Sequence, residues 1–359
     1  MRIMFITPQR NCGGAERIMT MFAGLLASRG HKVFFVQYAF SDDDYAITSD
    51  VEVIGLPNYN IREKAITAIP HHAWQLRKII KKRKPDVLIP FLAYTQIEAF
   101  LALPFTGSKL ITAIRNNPAQ SPVRRSERWI RNIIAAMSSA VFAQTETQKQ
   151  YFPEFIRRKT FVVPNPISDD FINKQWCLHS GHRVVTFGRL NQQKNHAMLI
   201  AAIHEVNKVF PDVTLHIFGD GPERSDLQRK IDSLQMNDYA VLEGRTANVI
   251  DEYLKANVAV LPSNFEGFPN ALMEGMAIGV PSISTDCPTG PAELIDDGIN
   301  GLLVPMGDYK KMAAAIVRIF SFDSLADEIG KNGKKTIVHR FSQETIVIKL
   351  ECELKKLIK

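Results

Sequence analysis

Val162-Val163-Pro164-Asn165-Pro166 separates two halves of this 359-residue chain that repeat one pattern. On each side of it, short apolar runs alternate with stretches in which apolar residues recur at helical spacing. The short runs are continuously apolar, which is typical of parallel strands covered on both faces. Two such series, joined by a proline-rich hinge, predict an α/β protein with two doubly wound domains that face a cleft.

The alternation predicts individual strands and helices in both halves. Strands are predicted at residues 2–7, 31–38, 85–90, 110–114 and 140–143, and then at 183–187, 213–218, 240–242, 258–261 and 281–284. Helices are predicted at residues 15–27, 74–82, 195–210, 223–234, 270–277 and 341–359. The hinge gives a first domain at 1–164 and a second at 165–341.

The composition is that of an ordinary globular protein, with 45% hydrophobic and 23% charged residues. The longest apolar run, residues 197–203, is far shorter than the ~20 residues of a membrane-spanning helix. The apolar part of Met1–Pro8 is too short for a secretory signal. The cysteines lie too far apart for a zinc knuckle or a disulfide framework; they are Cys12, Cys177, Cys287 and Cys352. We therefore expect a cytoplasmic protein without a metal site.

The charge is unevenly distributed along the chain. Residues 1–164 contain 23 basic and 12 acidic side chains, a net charge of +11, whereas the remainder contains 21 basic and 25 acidic ones, a net charge of −4. A basic surface can attract nucleic acid, anionic lipid or phosphorylated ligands. The alternative is a charged surface that serves only solubility.

Two basic segments of the first half favour a membrane surface over nucleic acid. Residues 122–131 combine four arginines with Trp129, and residues 74–84 combine Trp74 with a run of lysines and arginines. Both are predicted to form basic amphipathic helices, which suit an anionic membrane face, although ordinary solvated helix faces are the alternative. No aromatic stacking platform or base-reading motif is recognisable, so nucleic acid is not an expected partner.

Ligands of doubly wound sheets bind at the carboxyl ends of the strands, so the residues after each strand are the candidates. Gly13 and Gly14 follow the first strand and could let a phosphate approach a helix start, or could simply form a tight turn. After residue 187, Arg189 and Lys194 flank a loop that leads into a helix, and two cations there suit a diphosphate. A surface ion pair is the alternative for Arg189.

The segment 263–274 carries two carboxylates around a helix start. Glu266 precedes the predicted helix and Glu274 lies within it, so both can face the same edge of the sheet. Carboxylates accept hydrogen bonds from vicinal hydroxyls, and the helix start between them suits an anion, which together favour a sugar nucleotide. A capping Glu and a solvated Glu are the alternative. In the loop 218–223, Glu223 is expected to cap the next helix.

Taken in order, four motifs resemble one family. They are Gly13-Gly14-Ala15-Glu16, Gly188-Arg189-Leu190 with Lys194, Gly219-Asp220-Gly221-Pro222, and Glu266 followed eight residues later by Glu274. Together they resemble the retaining glycosyltransferases of family 4, which have the GT-B architecture of two Rossmann-like domains, and the resemblance covers essentially the whole chain. Residues 285–294 are similar to members that add hexose or N-acetylhexosamine units to bacterial surface glycans.

The resemblance implies a nucleotide diphosphate sugar as donor, preferably UDP-linked, and a role for each matching residue. The catalytic residues would be Glu266, which would contact the donor-sugar hydroxyls, and Arg189 and Lys194, which would bind the diphosphate. Glu274 would bind the ribose, and Arg245 would lie near the base. The remaining donor contacts would come from Gly13, Gly14, Phe268, Pro269, Asn270, Ala271 and Leu272.

The resemblance also implies a metal-independent, retaining front-face reaction without a cofactor, and a final helix at 342–359 that packs back on the first domain. The acceptor would be a glycan of surface polysaccharide synthesis, such as that of O-antigen or lipopolysaccharide, and would bind the first domain. Because that domain carries the two basic segments, we expect a lipid-diphosphate-linked glycan at the inner face of the cytoplasmic membrane. One departure concerns the loop after residue 114, where many members have a His and this chain has Arg115 and Asn116. Either residue fills that acceptor-side role, or the contact is absent. A sugar-nucleotide epimerase of the same fold and an inactive nucleotide-sugar-binding, membrane-associated subunit remain alternatives.

Overall fold

The structure is a computed structural model that describes residues 1–10, 13–56 and 65–358, with only the backbone at 65–67. Cys12 lies outside the described residues. Thirteen strands are described: β1 (Arg2–Thr7), β2 (Lys32–Gln37), β3 (Val51–Gly55), β4 (Val87–Pro90), β5 (Lys109–Ala113), β6 (Ala140–Ala143), β7 (Thr160–Val162), β8 (His182–Phe187), β9 (Val213–Phe218), β10 (Ala240–Gly244), β11 (Val258–Leu261), β12 (Ser282–Thr285) and β13 (Leu302–Val304).

The helices alternate with the strands throughout the described chain. They are α1 (Gly14–Ser28), α2 (Ala65–Arg83), α3 (Ala93–Ala102), α4 (Arg125–Met137), α5 (Glu146–Gln150), α6 (Glu154–Arg157), α7 (Asp169–Ile172), α8 (His196–Asn207), α9 (Arg224–Ser233), α10 (Val249–Leu254), α11 (Asn270–Ile278), α12 (Pro291–Leu294), α13 (Tyr309–Ser321), α14 (Asp323–Phe341) and α15 (Gln343–Ile358). Each predicted strand and helix corresponds to one of these elements. Most ends shift by a few residues, but the helix predicted at 74–82 begins nine residues earlier, and the one predicted at 122–131 ends six residues later.

The strands form two separate parallel sheets with the same order. The first runs β3-β2-β1-β4-β5-β6-β7 and the second runs β10-β9-β8-β11-β12-β13. In each sheet the order reverses beside the first strand, between β1 and β4 and between β8 and β11. Such a reversal opens a crevice at the carboxyl ends of the two strands, and this is where ligands of doubly wound sheets bind.

Apolar strand sequences account for the burial of both sheets. Ile3 to Ile6 in β1 are fully buried, and Val184 and Val185 have the same place in β8. Successive side chains of a strand point to opposite faces of the sheet. Because helices cover both faces of a parallel sheet, the side chains on either face are buried among apolar groups. Helices α8 and α13 pack against the second sheet and contribute Leu199, Ile203 and Ile316 to its core.

The chain divides into two compact units, Met1–Pro166 with Gln343–Lys359, and Ile167–Ser342. The first boundary falls two residues beyond the predicted residue 164, and the last helix belongs to the first unit. Its residue Glu351 accepts hydrogen bonds from Arg29 Nε at 2.8 Å and from His31 Nε2 at 3.0 Å. These bonds, with one from Lys355, lower the pKa of Glu351 to about 2. The helix is therefore held by ion pairs as well as by its apolar face.

The basic segments of the first unit differ in part from the prediction. The helix predicted over residues 122–131 begins only at Arg125, where α4 starts. Arg131 points into the unit and is 6% exposed, so it is not a surface charge. The exposed face of α4 instead carries Trp129, Ile133 and Met137 at four-residue spacing. No described helix is long and apolar enough to cross a bilayer.

Candidate active site

In the second unit, two loops meet at the crevice beside β8 and β11. The loop after β8 leads into α8, and the loop after β11 leads into α11. Asn264 joins them, because its backbone N–H donates to Gln193 O at 2.8 Å and its side-chain amide donates to Gln192 O at 2.7 Å. Asn195 Nδ2 adds a bond to Asn264 Oδ1 at 3.0 Å. The two predicted donor-binding segments therefore form one connected edge.

Lys194 and Glu266, both predicted as catalytic, form an ion pair on that edge. Lys194 Nζ lies 2.6 Å from Glu266 Oε1, and the carboxylate is only 5% exposed. Ser263 Oγ donates to the same oxygen at 2.5 Å, and the Thr289 hydroxyl donates to the Glu266 carbonyl. A buried carboxylate with a cation and a hydroxyl on one oxygen is held in a fixed position. Its other oxygen, Oε2, has no hydrogen bond from the described residues.

Arg189 is placed differently from Lys194. It is exposed, and among the described residues no carboxylate forms an ion pair with it. The Lys194 stem lies against Gly188, where a Cβ would stand 3.1 Å from its Cδ. The loop therefore presents one guanidinium available to an anion and one ammonium already fixed by Glu266. The ion-pair alternative for Arg189 receives no support from the described residues.

His196 lies directly behind this loop at the start of α8. It is fully buried, and burial, with the nearby Lys194 charge, lowers its pKa to about 4. A neutral ring there adds no positive charge and fills the space behind Gly188 and Arg189. The sequence indicated only a helix-start residue at this position.

The Gly219-Asp220-Gly221 loop packs backbone to backbone against the loop after β8. A Cβ on Gly219, whose φ is +141°, would stand 1.9 Å from Gly188 O, and one on Gly221 would stand 2.3 Å from Leu190 O. Leu190 N donates to Asp220 O at 3.1 Å. These glycines therefore support the loop that carries Arg189. Glu223 is the N-cap residue of α9, at the helix start as expected, but its side chain makes no capping hydrogen bond.

Helix α11 begins at the same edge. Pro269 is the N-cap residue and makes no side-chain capping bond, while the N–H of the first helical residue, Asn270, donates to Phe268 O at 3.0 Å. Phe268 and Leu272 are buried, and Ala271 O accepts a bond from Tyr253 at 2.6 Å.

Glu274 and Arg245 lie at different depths. Glu274 is one turn into α11 and is 5% exposed. Arg245 is exposed and follows β10, two places from β8 in the sheet. Their predicted contacts with ribose and base stay predictions.

The first unit has a matching crevice beside β1 and β4. Gly13 precedes α1, and a Cβ there would stand 3.1 Å from the carboxylate of Glu16, while Gly14 is the first helical residue. Burial raises the pKa of Glu16. The two glycines therefore lie where the prediction puts them, at the start of a helix beside the crevice.

Arg115 and Asn116, the predicted acceptor-side residues, line a cavity of about 230 Å³ at this crevice. Arg115 donates to Asn165 Oδ1 of the hinge and lies over the Phe91 and Phe142 rings, at 4.4 and 5.2 Å from their centroids. Burial lowers the pKa of Arg115 to about 9. Asn116 Oδ1 is occupied by the Asn117 N–H at 2.8 Å.

Sequence reasoning missed four site residues. They are Ser263, Thr289, His196 and Arg131. Ser263 could have been found, because it lies three residues before Glu266 in one loop. His196 lies two residues after Lys194, but its burial was not evident from the sequence, and Thr289 and Arg131 meet their sites only through tertiary contacts. Within the described ranges, no group of three or more His, Cys, Asp or Glu side chains could hold a metal ion.

Two families match the sequence, one in each half. "Glycosyltransferase Family 4" matches residues 12–171, and "Glycosyl transferases group 1" matches residues 181–321. A relative from Campylobacter jejuni is 29% identical over 340 residues, which cover 93% of both chains. It is named GalNAc-alpha-(1->4)-GalNAc-alpha-(1->3)-diNAcBac-PP-undecaprenol alpha-1,4-N-acetyl-D-galactosaminyltransferase. AmsD, an amylovoran biosynthesis glycosyltransferase of Erwinia amylovora, is 26% identical over 88% of both chains.

Solved structures share the fold across the chain. S. aureus TarM, in complex with fondaparinux, α-GlcNAc-glycerol and UDP, has a TM-score of 0.84 at 14% identity and covers 99% of this chain and 100% of its own. Anabaena HepE, in complex with UDP and glucose, has a TM-score of 0.83 at 19% identity and 99% coverage of both chains.

Two Rossmann-like units, each with polar or glycine loops at the reversal of its strand order, define the GT-B fold, which the solved glycosyltransferase structures share. The chain belongs to the family 4 type of these enzymes, as the motifs indicated. It is therefore a glycosyltransferase.

Proposed function

We propose that this chain transfers a hexose or N-acetylhexosamine from a UDP-linked sugar to a lipid-diphosphate-linked glycan, with retention of the anomeric configuration. The single observation that carries the donor side is the Lys194–Glu266 pair at 2.6 Å beside the exposed Arg189. It combines a carboxylate for sugar hydroxyls with two cations for a diphosphate. The named activity of the Campylobacter jejuni relative supports a PP-undecaprenol-linked acceptor.

The donor site stabilises the charge that develops on the leaving group. As the bond between the anomeric carbon and the β-phosphate oxygen breaks, that oxygen gains negative charge, which Arg189 and Lys194 would neutralise in the proposed mechanism. The acceptor hydroxyl attacks the anomeric carbon from the face that the leaving group departs from, and its proton passes to the departing phosphate oxygen. The products are the new glycoside and UDP. Since two side-chain cations would bind the diphosphate, we propose that the reaction needs neither metal nor cofactor.

Binding of the first unit to an anionic membrane would bring the enzyme to such an acceptor. Helix α4 exposes Trp129 (67%) and Met137 (64%) on one stripe that continues from Arg125. Helix α2 adds the exposed Trp74, with Lys78 Nζ 3.3 Å from its ring centroid. Interfacial tryptophans beside basic side chains are typical of helices that lie on anionic bilayers.

The decisive experiment combines donor binding and transfer. A thermal-shift panel of UDP and GDP sugars should identify one donor that stabilises the protein. That donor should support transfer to an undecaprenyl diphosphate glycan in the presence of EDTA, and the product's anomeric proton coupling should match that of the donor. Arg189→Ala and Glu266→Gln should lose transfer, while Arg229→Ala, an exposed arginine on α9, is the control. Conversion of the donor sugar without an acceptor would indicate an epimerase instead, and binding without either reaction would indicate an inactive subunit.

The membrane step is tested separately by sedimentation with liposomes. At low salt the protein should bind vesicles that contain phosphatidylglycerol and should not bind neutral vesicles. Binding should fall as added salt screens the basic side chains. Trp129→Ser with Met137→Ser should weaken it, whereas Phe322→Ser, which removes an exposed aromatic from the second unit, should not. Equal binding to both vesicle types would contradict the proposal.

A further inference from the structure

The cavity of the first unit holds two arginines without a counter-charge. Arg115 and Arg131 both line it, and no carboxylate of the described residues pairs with either guanidinium. Arg131 is 6% exposed and bonds neutral groups, namely the Asn132 side chain, the Ser121 carbonyl and the Tyr151 side chain. Nε and Nη1 of Arg115 are buried and have no hydrogen-bond partner in the described part of the chain.

Burying charge in this way is unfavourable unless something else neutralises it. An unpaired charge inside a protein has lost its hydration, and burial lowers the pKa of both arginines because it penalises the charged form. The aromatic rings beside them offset part of this cost, at 4.4 Å for Arg115 over Phe91 and 5.5 Å for Arg131 over Tyr151. Neither ring supplies a negative charge, so the cavity stays strongly positive.

Two further features of the lining specify the ligand. Leu92 and Ala93 form the start of the ten-residue helix α3, which has no side-chain cap and adds the positive end of the helix dipole. Gln96 Oε1 is buried and has no hydrogen-bond partner among the described residues. The nitrogen of the same amide, Nε2, donates to Ala113 O at 2.7 Å. A free carbonyl oxygen beside positive groups suits a ligand that has hydroxyls as well as an oxyanion.

We propose that this cavity binds an acidic sugar of the acceptor, whose oxyanion faces Arg115 and Arg131 and one of whose hydroxyls donates to Gln96. Two groups supply an oxyanion of this kind, the carboxylate of a uronic acid and the phosphate of a sugar phosphate. The assignment of this sugar to the acceptor rests on the proposed function. The binding of an acidic sugar does not, since the cavity lies wholly within the first unit.

The test is calorimetric titration of the enzyme saturated with UDP, so that the donor diphosphate site is filled. The probes are glucuronate, glucose 6-phosphate, inorganic phosphate and uncharged glucose. We expect one charged sugar to bind at least about tenfold more tightly than glucose. This is the ratio of affinities expected when a ligand lacks one charge-assisted hydrogen bond. Whichever charged sugar binds identifies the source as carboxylate or phosphate.

Variants assign the effect to the cavity. Arg115→Gln should remove the preference for the charged sugar, Arg115→Lys should retain part of it, and Arg124→Gln, an exposed arginine at the start of α4, should leave it intact. Equal affinity for charged and uncharged sugar in the wild type overturns the proposal even if a variant does not fold. So does a preference that survives in folded Arg115→Gln, or inorganic phosphate that binds as well as the sugars. UDP binding in the first step reports separately on the proposed function.

Discussion

A single ion pair fixes two of the three charges of the proposed donor site. Lys194 and Glu266 are 72 positions apart in sequence, yet Nζ and Oε1 lie 2.6 Å apart because each loop follows one of the two strands at the reversal. The sequence predicted both residues, since each follows an apolar run at a helix start. It could not predict their pairing, which depends on β8 and β11 being neighbours.

Lys194→Met should lower kcat by about 10²–10³, the loss typical of removing one positioned charge-stabilising group. It should also destabilise the second unit by roughly 1–3 kcal/mol, because the buried Glu266 loses its cation. Urea unfolding and steady-state rates measure both effects. Lys208→Met, which breaks an exposed pair with Glu205, is the matched control and should change neither. The double variant Lys194→Met with Glu266→Gln should lose less unfolding free energy than the sum of the losses in the two single variants.

His196 should make the second unit sensitive to acid. Its pKa is about 4 in the folded protein and about 6.5 when unfolded, so the unfolded state takes up a proton first as the pH falls. Stability is therefore complete above pH ~6.5 and is lost by about 3 kcal/mol as the pH approaches 4. His196→Gln stays neutral and should lack this loss. Unfolding free energies of both proteins at pH 7 and pH 4 test it, and a constant difference between them would contradict the assignment.

At the level of elements, continuous apolar runs were sufficient to predict ten of the strands. The three that were missed, β3, β7 and β13, lie at or near sheet edges, and β7 and β13 have only three residues each. Strand β3 is half-buried, so its sequence lacks the apolar run of a central strand. Short or partly exposed strands are held by their neighbours rather than by their own sequence. The predicted start of α4 at residue 122 failed because Pro122 and Val123 stay outside the helix.

The glycine loop after β9 should tolerate no side chain. Gly219→Ala places a Cβ against Gly188 O, so it should destabilise the second unit by roughly 1–3 kcal/mol and raise KM for the donor by moving the Arg189 loop. Gly307→Ala is the matched control, since Gly307 also has a positive φ, of +75°, but open space around its Cβ position. It should incur only the backbone strain and leave KM unchanged. Equal KM changes in the two variants would contradict the proposed loop contact.

At the scale of the whole molecule, the two units differ in how the chain builds them. The second is one continuous segment with its own apolar core, whereas the first needs residues from both ends of the chain. Helix α15 supplies Ile346, Val347, Leu350 and Leu354 as buried side chains. Each is worth roughly 1.5–3 kcal/mol of apolar burial. The charge asymmetry follows the same division and was evident in the sequence.

Residues 167–342 expressed alone should therefore fold cooperatively and bind UDP, with binding weakened by Arg189→Ala. Residues 1–166 alone should be unstable, because the face that α15 covers would be exposed to water. Joining residues 343–359 to the end of the first segment through a flexible linker should restore a cooperative transition. Circular dichroism melting curves of the three proteins measure this, and a stable 1–166 segment would contradict the role given to α15.

The backbone contact between Gly219 and Gly188 also limits how donor selectivity can change. Where two main chains touch, no exchange of side chains can reshape the surface gradually, so this part of the pocket has a single permitted shape. Directed evolution toward another activated sugar should therefore yield substitutions in residues 264–270 or at Arg245, and leave the glycines unaltered.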